Sequence, residues 1–278
     1  MRERRYKERD NKAKESKRTE GQAEASPSKA GPAKSNPKPA LHTIRLNKFI
    51  ANAGVCSRRD ADKLIAEGLI SVNGEVVTTV GTTVKTSDKV VYEGKELKAE
   101  KLVYVLLNKP KNFVTTLSDP HARHTVMDLV KHACAERIYP VGRLDKMTTG
   151  ILLLTNDGDL AKRLTHPSHE HRKIYHAFLD KEITKEHLHS IATGLELEDG
   201  FIKADKISLV KGNAKEVGIE IHSGKNRIVR RIFQHLGYEV VMLDRVYFSG
   251  LTKKDVPRGK WRFLTPHEVT FLKAGIMK

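Results

Sequence analysis

The amino-acid sequence predicts an α+β fold in which a small helical unit precedes a larger, strand-rich domain. Apolar residues recur at helical spacing between residues 43 and 68, whereas short apolar runs separated by turn residues dominate beyond residue 102. The strands and helices do not alternate regularly, so the pattern is not that of a repeated βαβ unit. A chain of 278 residues is long enough for one large domain or two.

Three segments are predicted along the chain: a disordered basic tail at 1–42, a small domain at 43–101 and a larger domain at 102–278. The tail is rich in Lys, Arg, Glu, Ser and Pro, and its apolar residues are too sparse to offset the entropy lost on ordering. Such a tail is either simply solvated or binds phosphates non-specifically, and the two interpretations are compatible.

The net charge of +17 and the isoelectric point near 9.8 indicate a polyanionic partner such as RNA, DNA or an anionic membrane. Beyond residue 40 the chain still holds 39 Lys and Arg against 28 Asp and Glu, so the tail alone does not account for the charge. No apolar run of membrane-spanning length is present, and no apolar segment follows the charged N-terminus. With only two cysteines, the sequence predicts a cytoplasmic protein.

The small domain is predicted to contain two helices and a hairpin. Gly54 and Gly68 end the two helices, Ser57 begins the second, and Asn73-Gly74 is a strong turn signal between two short strands. The basic residues on or beside these helices are Arg45, Lys48, Arg58, Arg59 and Lys63.

Taken alone, this pattern fits any small basic helical motif. The stretch from Ile44 to Val77 nevertheless resembles the S4 RNA-binding domain, above all in Arg45-Leu46-Asn47-Lys48-Phe49-Ile50, Ser57-Arg58-Arg59 and Val72-Asn73-Gly74. The resemblance implies that the five basic residues face RNA phosphates.

In the larger domain, short apolar or alternating runs predict strands, and one amphipathic segment predicts a helix that Gly237 ends. The predicted helix carries Ile228, Val229, Ile232, Phe233 and Leu236 on its apolar face. The predicted strands are 103–107, 151–154, 173–179, 217–221, 240–243 and 261–264.

Asp145 is the first candidate for chemistry, because it follows Gly142-Arg143-Leu144 in a loop between two predicted strands. A carboxylate presented in this way serves as a nucleophile, a base or a metal ligand. The alternative for a lone aspartate is a loop residue held in a salt bridge.

The segment from Gly142 to Ala161 closely resembles the signature of bacterial ribosomal-RNA pseudouridine synthases, in the group that contains RsuA and RluB. Three further matches follow in order: Leu164-Thr165-His166-Pro167 with Arg172-Lys173-Ile174-Tyr175, then Gly224 to Arg231, then Arg262-Phe263-Leu264-Thr265. The resemblance covers about 43–270 and implies a mixed, mainly antiparallel sheet in the larger domain. One departure is Ile228, where many relatives have Gln or Glu.

The resemblance implies that the protein isomerises uridine to pseudouridine in ribosomal RNA without a metal or other cofactor. Asp145 is expected to attack the ribose C1′ or to promote elimination to a glycal. The target base must leave its stack, and Tyr175 is expected to stack on it; the alternative for Tyr175 is a strand residue packed in the core.

The resemblance also assigns the surrounding cations. Arg230 is expected to pair with Asp145 and keep it ionised, as the third catalytic residue beside Asp145 and Tyr175. Arg227, Arg230 and Arg231 share one face of the predicted helix. Further residues expected at the RNA are Arg143, Lys173, Lys225, Arg227 and Arg231.

Two patterns that suggest a metal site do not predict one on closer inspection. His166, His169, His171 and His176 match no standard zinc spacing and lie near no cysteine, so histidines that face RNA are favoured. Asp157-Gly158-Asp159 lacks the other ligands of a calcium loop, and a turn followed by Asp159 as helix N-cap fits it better.

Three functional hypotheses remain: a pseudouridine synthase, a non-catalytic RNA-binding assembly factor, and a glycosidic hydrolase. The hydrolase usually needs two carboxylates around the bond, and no second candidate stands out. The sequence from Arg45 through Asn73-Gly74 and the context Tyr139-Pro140-Val141-Gly142 resemble the large-subunit members of the group more than the small-subunit members. The resemblance therefore favours large-subunit ribosomal RNA as the target, and a monomer is expected.

Overall fold

The computed structural model describes residues 43–121, 124–210 and 212–275. The predicted disordered tail lies outside these residues. The first elements are β1 (Thr43–Arg45), α1 (Leu46–Asn52), α2 (Arg58–Ala66), β2 (Ile70–Val72), β3 (Glu75–Val76), β4 (Thr83–Lys85), β5 (Val90–Tyr92) and β6 (Lys95–Glu96).

The two predicted helices and the hairpin of the small domain are present and share one core. Leu46, Ile50 and Ile65 are fully buried against each other and the β2–β5 strands. The Ser57 hydroxyl accepts a hydrogen bond from the Asp60 amide at 3.2 Å and so begins α2. Asn73 and Gly74 adopt left-handed φ values of 52° and 94°, which close the tight hairpin between β2 and β3.

The remaining elements form a larger sheet with helices on both faces. They are β7 (Tyr104–Lys109), α3 (Val126–Val130), β8 (Tyr139–Pro140), β9 (Thr148–Thr155), α4 (Gly158–Thr165), a 3₁₀ turn (Pro167–His169), β10 (Lys173–Leu179), α5 (Lys185–Thr193), β11 (Leu195–Leu197), β12 (Gly200–Ile202), β13 (Lys206–Val210), β14 (Asn213–Ile221), α6 (Ile228–His235), β15 (Val240–Phe248), β16 (Leu251–Thr252), β17 (Trp261–Phe263) and α7 (Pro266–Ala274).

The main strand order in the large sheet is β13-β14-β10-β15-β9-β7-β17, with β16 beside β15 and β8 beside β9. Every pairing in this sheet is antiparallel except that of β9 with β15. The predicted α+β fold with a mixed, mainly antiparallel sheet is therefore confirmed. The helices of the described ranges are all too short or too polar to span a bilayer.

Strand β9 is apolar along its length because helices cover both of its faces. Ile151 and Leu153 pack toward α4 and α7, whereas Leu152 and Leu154 pack toward α3. This explains why the sequence shows a continuous apolar run here rather than an alternating one. The strand is a rigid support for the loop that precedes it.

Gly150 allows β9 to run in parallel contact with β15. Its φ is +105°, and a Cβ atom at this position would lie 2.2 Å from the Arg245 carbonyl oxygen and 2.6 Å from the Asp244 carboxylate. Only glycine fits such a close approach without moving backbone. The crossing brings the start of β9 beside the middle of β15, and the loop ending at Thr148 lies at this junction.

Helix α4 begins two residues earlier than the sequence indicated. Asp157, not Asp159, is the N-cap, and its carboxylate accepts from the Leu160 amide at 3.0 Å. The prediction of Asp159 as N-cap is therefore wrong. Asp159 instead accepts a hydrogen bond from Lys48 of α1 at 2.6 Å, which links the small domain to α4.

Candidate active site

Asp145 lies in the loop between β8 and β9, where its carbonyl oxygen accepts from the Thr148 amide at 3.0 Å. The loop is thus a tight turn that leads directly into the buried strand. The Asp145 side chain is 35% exposed, so a bound substrate has access to its carboxylate.

The backbone of this loop is held by Lys109, a fully buried side chain at the end of β7. Its Nζ donates to the carbonyl oxygens of Thr148 at 2.8 Å, Asp145 at 3.0 Å, Pro110 at 3.1 Å and Lys146 at 3.3 Å. Burial lowers the pKa of Lys109 to about 8, against the opposing effect of the Asp145 charge. Sequence reasoning missed this residue. The feature in the sequence that could have indicated it is a lysine at the end of a mostly apolar strand.

Thr115 holds the same loop from the other side of Asp145. Its hydroxyl donates to the Leu144 carbonyl at 2.7 Å and accepts from the Leu144 amide at 3.3 Å. The backbone on both sides of the Asp145 side chain is therefore held by hydrogen bonds, before it by Thr115 and after it by Lys109.

The cation beside the Asp145 carboxylate is Arg227, whose Nη1 lies 3.4 Å from Oδ2. Arg230 instead donates to the Val240 carbonyl at 2.6 Å. The predicted pairing of Arg230 with Asp145 is therefore wrong in this structure. The reason is local: Arg227 is the N-cap of α6 with a left-handed φ of 47°, so it leaves the helix face that the sequence pattern assigned to it.

Arg230 still lies within the electrostatic reach of Asp145. Burial and the charge of Arg227 lower the pKa of the Arg230 guanidinium, while Asp145 and Glu239 oppose that change. Its Nε is buried and has no hydrogen-bond partner among the described residues.

Two other cations near α6 are engaged by the β11–β12 hairpin. Arg231 holds the Asp199 carboxylate bidentately at 2.6 and 2.8 Å, and Lys225 donates to the Asp199 carbonyl at 2.8 Å. The hydrogen bonds from Arg231 lower the pKa of Asp199 to about 2. The structure therefore gives both cations a protein partner, and their contact with RNA stays a prediction.

Tyr175 lies on β10, between β14 and β15, opposite Ile219 and Arg245. A register shift between Ile174 and Tyr175 distorts the pairing with β15 at this point. The ring packs partly against two core clusters and partly lines the pocket that contains Asp145. Both sequence interpretations of Tyr175, pocket residue and core residue, describe part of its surroundings.

Asp145 and Tyr175 share a pocket of about 190 Å³. Its apolar wall includes Ile228, the first residue of α6, which is buried in the core. The other apolar lining residues are Val141, Leu144, Leu164, Val229, Leu243 and Phe248.

Two more cations line the same pocket, the buried Arg245 and the half-buried Lys173. Arg245 donates to the Ile151 carbonyl at 2.9 and 2.6 Å and stacks over the Phe248 ring at 4.7 Å. Lys173 donates to the His222 carbonyl at 2.7 Å, and burial together with the Arg245 charge lowers its pKa to about 8. Sequence reasoning predicted Lys173 as an RNA contact but missed Arg245, because its partners are backbone carbonyls that no sequence spacing reveals.

Arg143 is exposed at the mouth of the pocket, and the basic residues of the small domain are mostly exposed as well. Arg58 donates to the Asn47 side chain at 3.4 Å, and Lys63 pairs with Asp60 at 3.1 Å. Arg45 and Arg59 are also exposed, while Lys48 is engaged by Asp159. Their contact with RNA stays a prediction.

The four histidines do not form a ligand cluster: in the described ranges, no three His, Cys, Asp or Glu side chains are placed to hold a metal ion. His169 lies against the rings of His166 and His171. His176 instead faces Glu216 at 3.0 Å.

Replacing Lys109 with Met should destabilise the protein. Four carbonyl oxygens lose their donor, so we expect the free energy of unfolding to fall by about 2–4 kcal/mol. Urea denaturation measures this. Lys111→Met is the matched control, because the Lys111 side chain has no hydrogen bond or ion pair within the described ranges. Equal stability of the two variants would contradict the stabilising role of the Lys109 hydrogen bonds.

The pH dependence of stability should report the burial of Lys173. Its pKa is about 8 in the folded protein against an ordinary value of 10.5, so the unfolded chain binds more protons between these pH values. The free energy of unfolding of the wild type should therefore rise relative to Lys173→Met from pH 8 to 10.5, by at most about 1.4 kcal/mol per pH unit. Urea denaturation at pH 7.5, 9 and 10.5 tests this, and a constant difference would rule the burial effect out.

Comparison with known proteins places this geometry in a family. The RNA pseudouridylate synthase family model matches residues 103–235, and the S4 domain model matches residues 44–90. A solved structure described as a pseudouridylate synthase superposes with a TM-score of 0.59 at 29% identity, covering 82% of this chain and 99% of the other.

Similar proteins carry the same description. The ribosomal large subunit pseudouridine synthase B of Bacillus subtilis (strain 168) is 42% identical over 83% of this chain and 96% of its own length. An uncharacterized RNA pseudouridine synthase of Aquifex aeolicus (strain VF5) is 41% identical over 82% and 93%. The dual-specificity RNA pseudouridine synthase RluF of Escherichia coli (strain K12) is 38% identical over 82% and 77%. The chain therefore belongs to the S4-domain-containing family of RNA pseudouridine synthases, which isomerise uridine to pseudouridine in RNA.

Proposed function

We propose that Asp145 is the nucleophile of this isomerisation and that the target uridine flips into the pocket beside it. The observation that carries the proposal is the placement of one accessible carboxylate at a pocket with an apolar wall and an aromatic ring, Tyr175. A uracil base has two apolar faces and polar edges, so it matches a pocket that combines an apolar wall with cations. Flipping costs a few kcal/mol, which the contacts in the pocket offset.

In the proposed reaction, a carboxylate oxygen of Asp145 forms a bond to C1′ while the N1–C1′ bond breaks and its electron pair leaves with the uracil. The uracil turns in the pocket, and C5 attacks C1′ as the Asp145 oxygen departs. Loss of the C5 proton and protonation of N1 complete pseudouridine. The alternative is that Asp145 removes a ribose proton, so that uracil leaves by elimination to a glycal.

Arg227 is proposed to orient Asp145 and to hold it as a carboxylate. A guanidinium beside a carboxylate favours its charged form, and Arg227 contacts Oδ2 in the structure. The contact is long and Arg227 is 52% exposed, so its contribution is modest before RNA excludes water from the site.

We propose large-subunit ribosomal RNA as the target and a cytoplasmic monomer as the working form. The name of the Bacillus subtilis relative, which matches this chain over 96% of its length, supports the large subunit. The alternative, small-subunit RNA, is the weaker candidate because no relative named above carries that target.

The nucleophile is tested by mapping pseudouridine in unmodified ribosomal RNA after incubation with wild type, Asp145→Asn or Asp145→Ala. We expect one modified uridine with the wild type and no detectable product with either variant, because neither side chain attacks C1′. Asp159→Asn, which changes an exposed aspartate in the first turn of α4, should retain activity. Full activity of Asp145→Ala would contradict the assignment of Asp145 as the nucleophile. Absence of pseudouridine with wild type would contradict ribosomal RNA as the target.

The arginine assignment is tested by comparing Arg227→Gln with Arg230→Gln. We expect Arg227→Gln to lower kcat by about tenfold, a loss of about 1.4 kcal/mol in transition-state stabilisation. Arg230→Gln should mainly lower the free energy of unfolding, because it removes the hydrogen bond to Val240. Loss of turnover in Arg230→Gln at unchanged stability would instead assign the contact with Asp145 to Arg230.

A further inference from the structure

A second pocket, of about 580 Å³, is also lined by Asp145. Four residues line both pockets and are called the divider: Arg143, Leu144, Asp145 and Arg227. The far wall of the second pocket is the segment that follows β7, from Val114 to Pro120. Asp145 therefore faces two chambers, and only the first has a place in the proposed reaction so far.

The two chambers differ in chemistry. The first has a large apolar wall and an aromatic ring. The second presents hydroxyl groups on its far wall and cations around the divider. The available hydroxyl residues are Thr116 and Ser118, since the Thr115 hydroxyl is bound to the Leu144 backbone, and the cations are Arg143, Lys146 and Arg227. Asp119 is the one acidic lining residue besides Asp145 among the described residues. Hydroxyls and exposed cations suit a ribose and a phosphate rather than a base.

Lys146 is the cation that belongs to the second chamber alone. Its backbone is fixed, since its carbonyl accepts from the Asn112 amide at 2.9 Å and from Lys109 at 3.3 Å. Its side chain is exposed and makes no hydrogen bond or ion pair with any residue that the structure describes. The nearby Asp119 carboxylate accepts from the His121 amide at 3.0 Å. A cation on a rigid loop, without a protein partner, is placed to receive an anion.

The bonding of the nucleotide decides what that anion is. C1′ joins the base on one side and the sugar–phosphate chain on the other. If the base occupies the first chamber and the Asp145 carboxylate meets C1′ at the divider, the sugar–phosphate chain leaves on the side of the second chamber. We propose that the second chamber binds the sugar and phosphate adjoining the target uridine, with Lys146 on the phosphate. This inference rests on the proposed function.

Two measurements test the site. The first is the salt dependence of affinity for in vitro transcribed large-subunit ribosomal RNA. Loss of one phosphate contact should reduce the slope of log affinity against log salt by roughly 0.7–0.9 in Lys146→Gln. Lys146→Arg should keep the wild-type slope, because it retains the charge.

The control is Lys215→Gln, which changes an exposed lysine on β14 six residues before the pocket end of that strand, on the order of 20 Å away. Its slope should equal that of wild type. An unchanged slope in Lys146→Gln overturns the proposal, and so does an equal loss in Lys215→Gln.

The second measurement uses RNA fragments that span the modified uridine and carry a neutral methylphosphonate at either flanking phosphate. At one of the two positions, the methylphosphonate and Lys146→Gln should each lower kcat/KM about tenfold, and their combination should lower it no further. Independent, multiplying losses at both positions overturn the location of the contact.

The two proposals fail separately. If wild type makes no pseudouridine but Lys146→Gln still reduces the salt slope, the proposed function fails and the phosphate contact stands. If pseudouridine forms and neither measurement detects Lys146, the second chamber is not the site of the phosphate.

Discussion

The candidate site depends on one buried ammonium group, that of Lys109. A lysine without exposed surface normally loses stability through desolvation, which explains its lowered pKa. Here four backbone carbonyls surround the ammonium, and three of them belong to the turn from Asp145 to Thr148. The carbonyls of the turn accept the hydrogen bonds that the buried ammonium must donate, and the ammonium fixes the backbone of the turn. The Asp145 carboxylate is therefore positioned by a contact between Lys109 and the backbone, not by a contact of the Asp145 side chain. Thr115 completes the support by binding both polar backbone groups of Leu144.

Backbone carbonyls also accept hydrogen bonds from cations that line the pocket, and this leaves the pocket with an excess of positive charge. Among the described residues that line it, Asp145 is the sole acidic side chain, and five are cations. Lys173 and Arg245 satisfy their donors with main-chain oxygens rather than with carboxylates. The acidic residues that do form tight pairs lie outside this pocket, as Asp244 does with Arg258 and Lys253. Apart from Lys225, which lies 3.6 Å from the Asp199 carboxylate, the pocket cations have no acidic partner other than Asp145 among the described residues, and the field that favours an anionic substrate is retained.

The sequence predicted those parts of the fold and the site that depend on local pattern. The Asn73-Gly74 hairpin and the amphipathic helix after Arg227 follow from turn chemistry and periodicity. The shared pocket of Asp145 and Tyr175 followed from motif resemblance, since the two residues are thirty positions apart. The sequence did not predict that Arg227, and not Arg230, contacts Asp145. The left-handed backbone at Arg227 breaks the helical geometry on which the prediction relied. Lys109 and Arg245 were missed because side-chain to carbonyl contacts between distant strands leave no spacing in the sequence.

Helix α4 connects the small domain to the pocket. Lys48 on α1 reaches Asp159 in the first turn of α4, and the last turn of α4 supplies Leu164 and Thr165 to the pocket wall. An eight-residue helix is about 12 Å long, so the basic face and the pocket are separated by little more than that distance. An RNA phosphate that binds Lys48 competes with Asp159 for the same ammonium group. If the small domain binds RNA through Lys48, the release of Asp159 therefore acts on the same helix that lines the pocket.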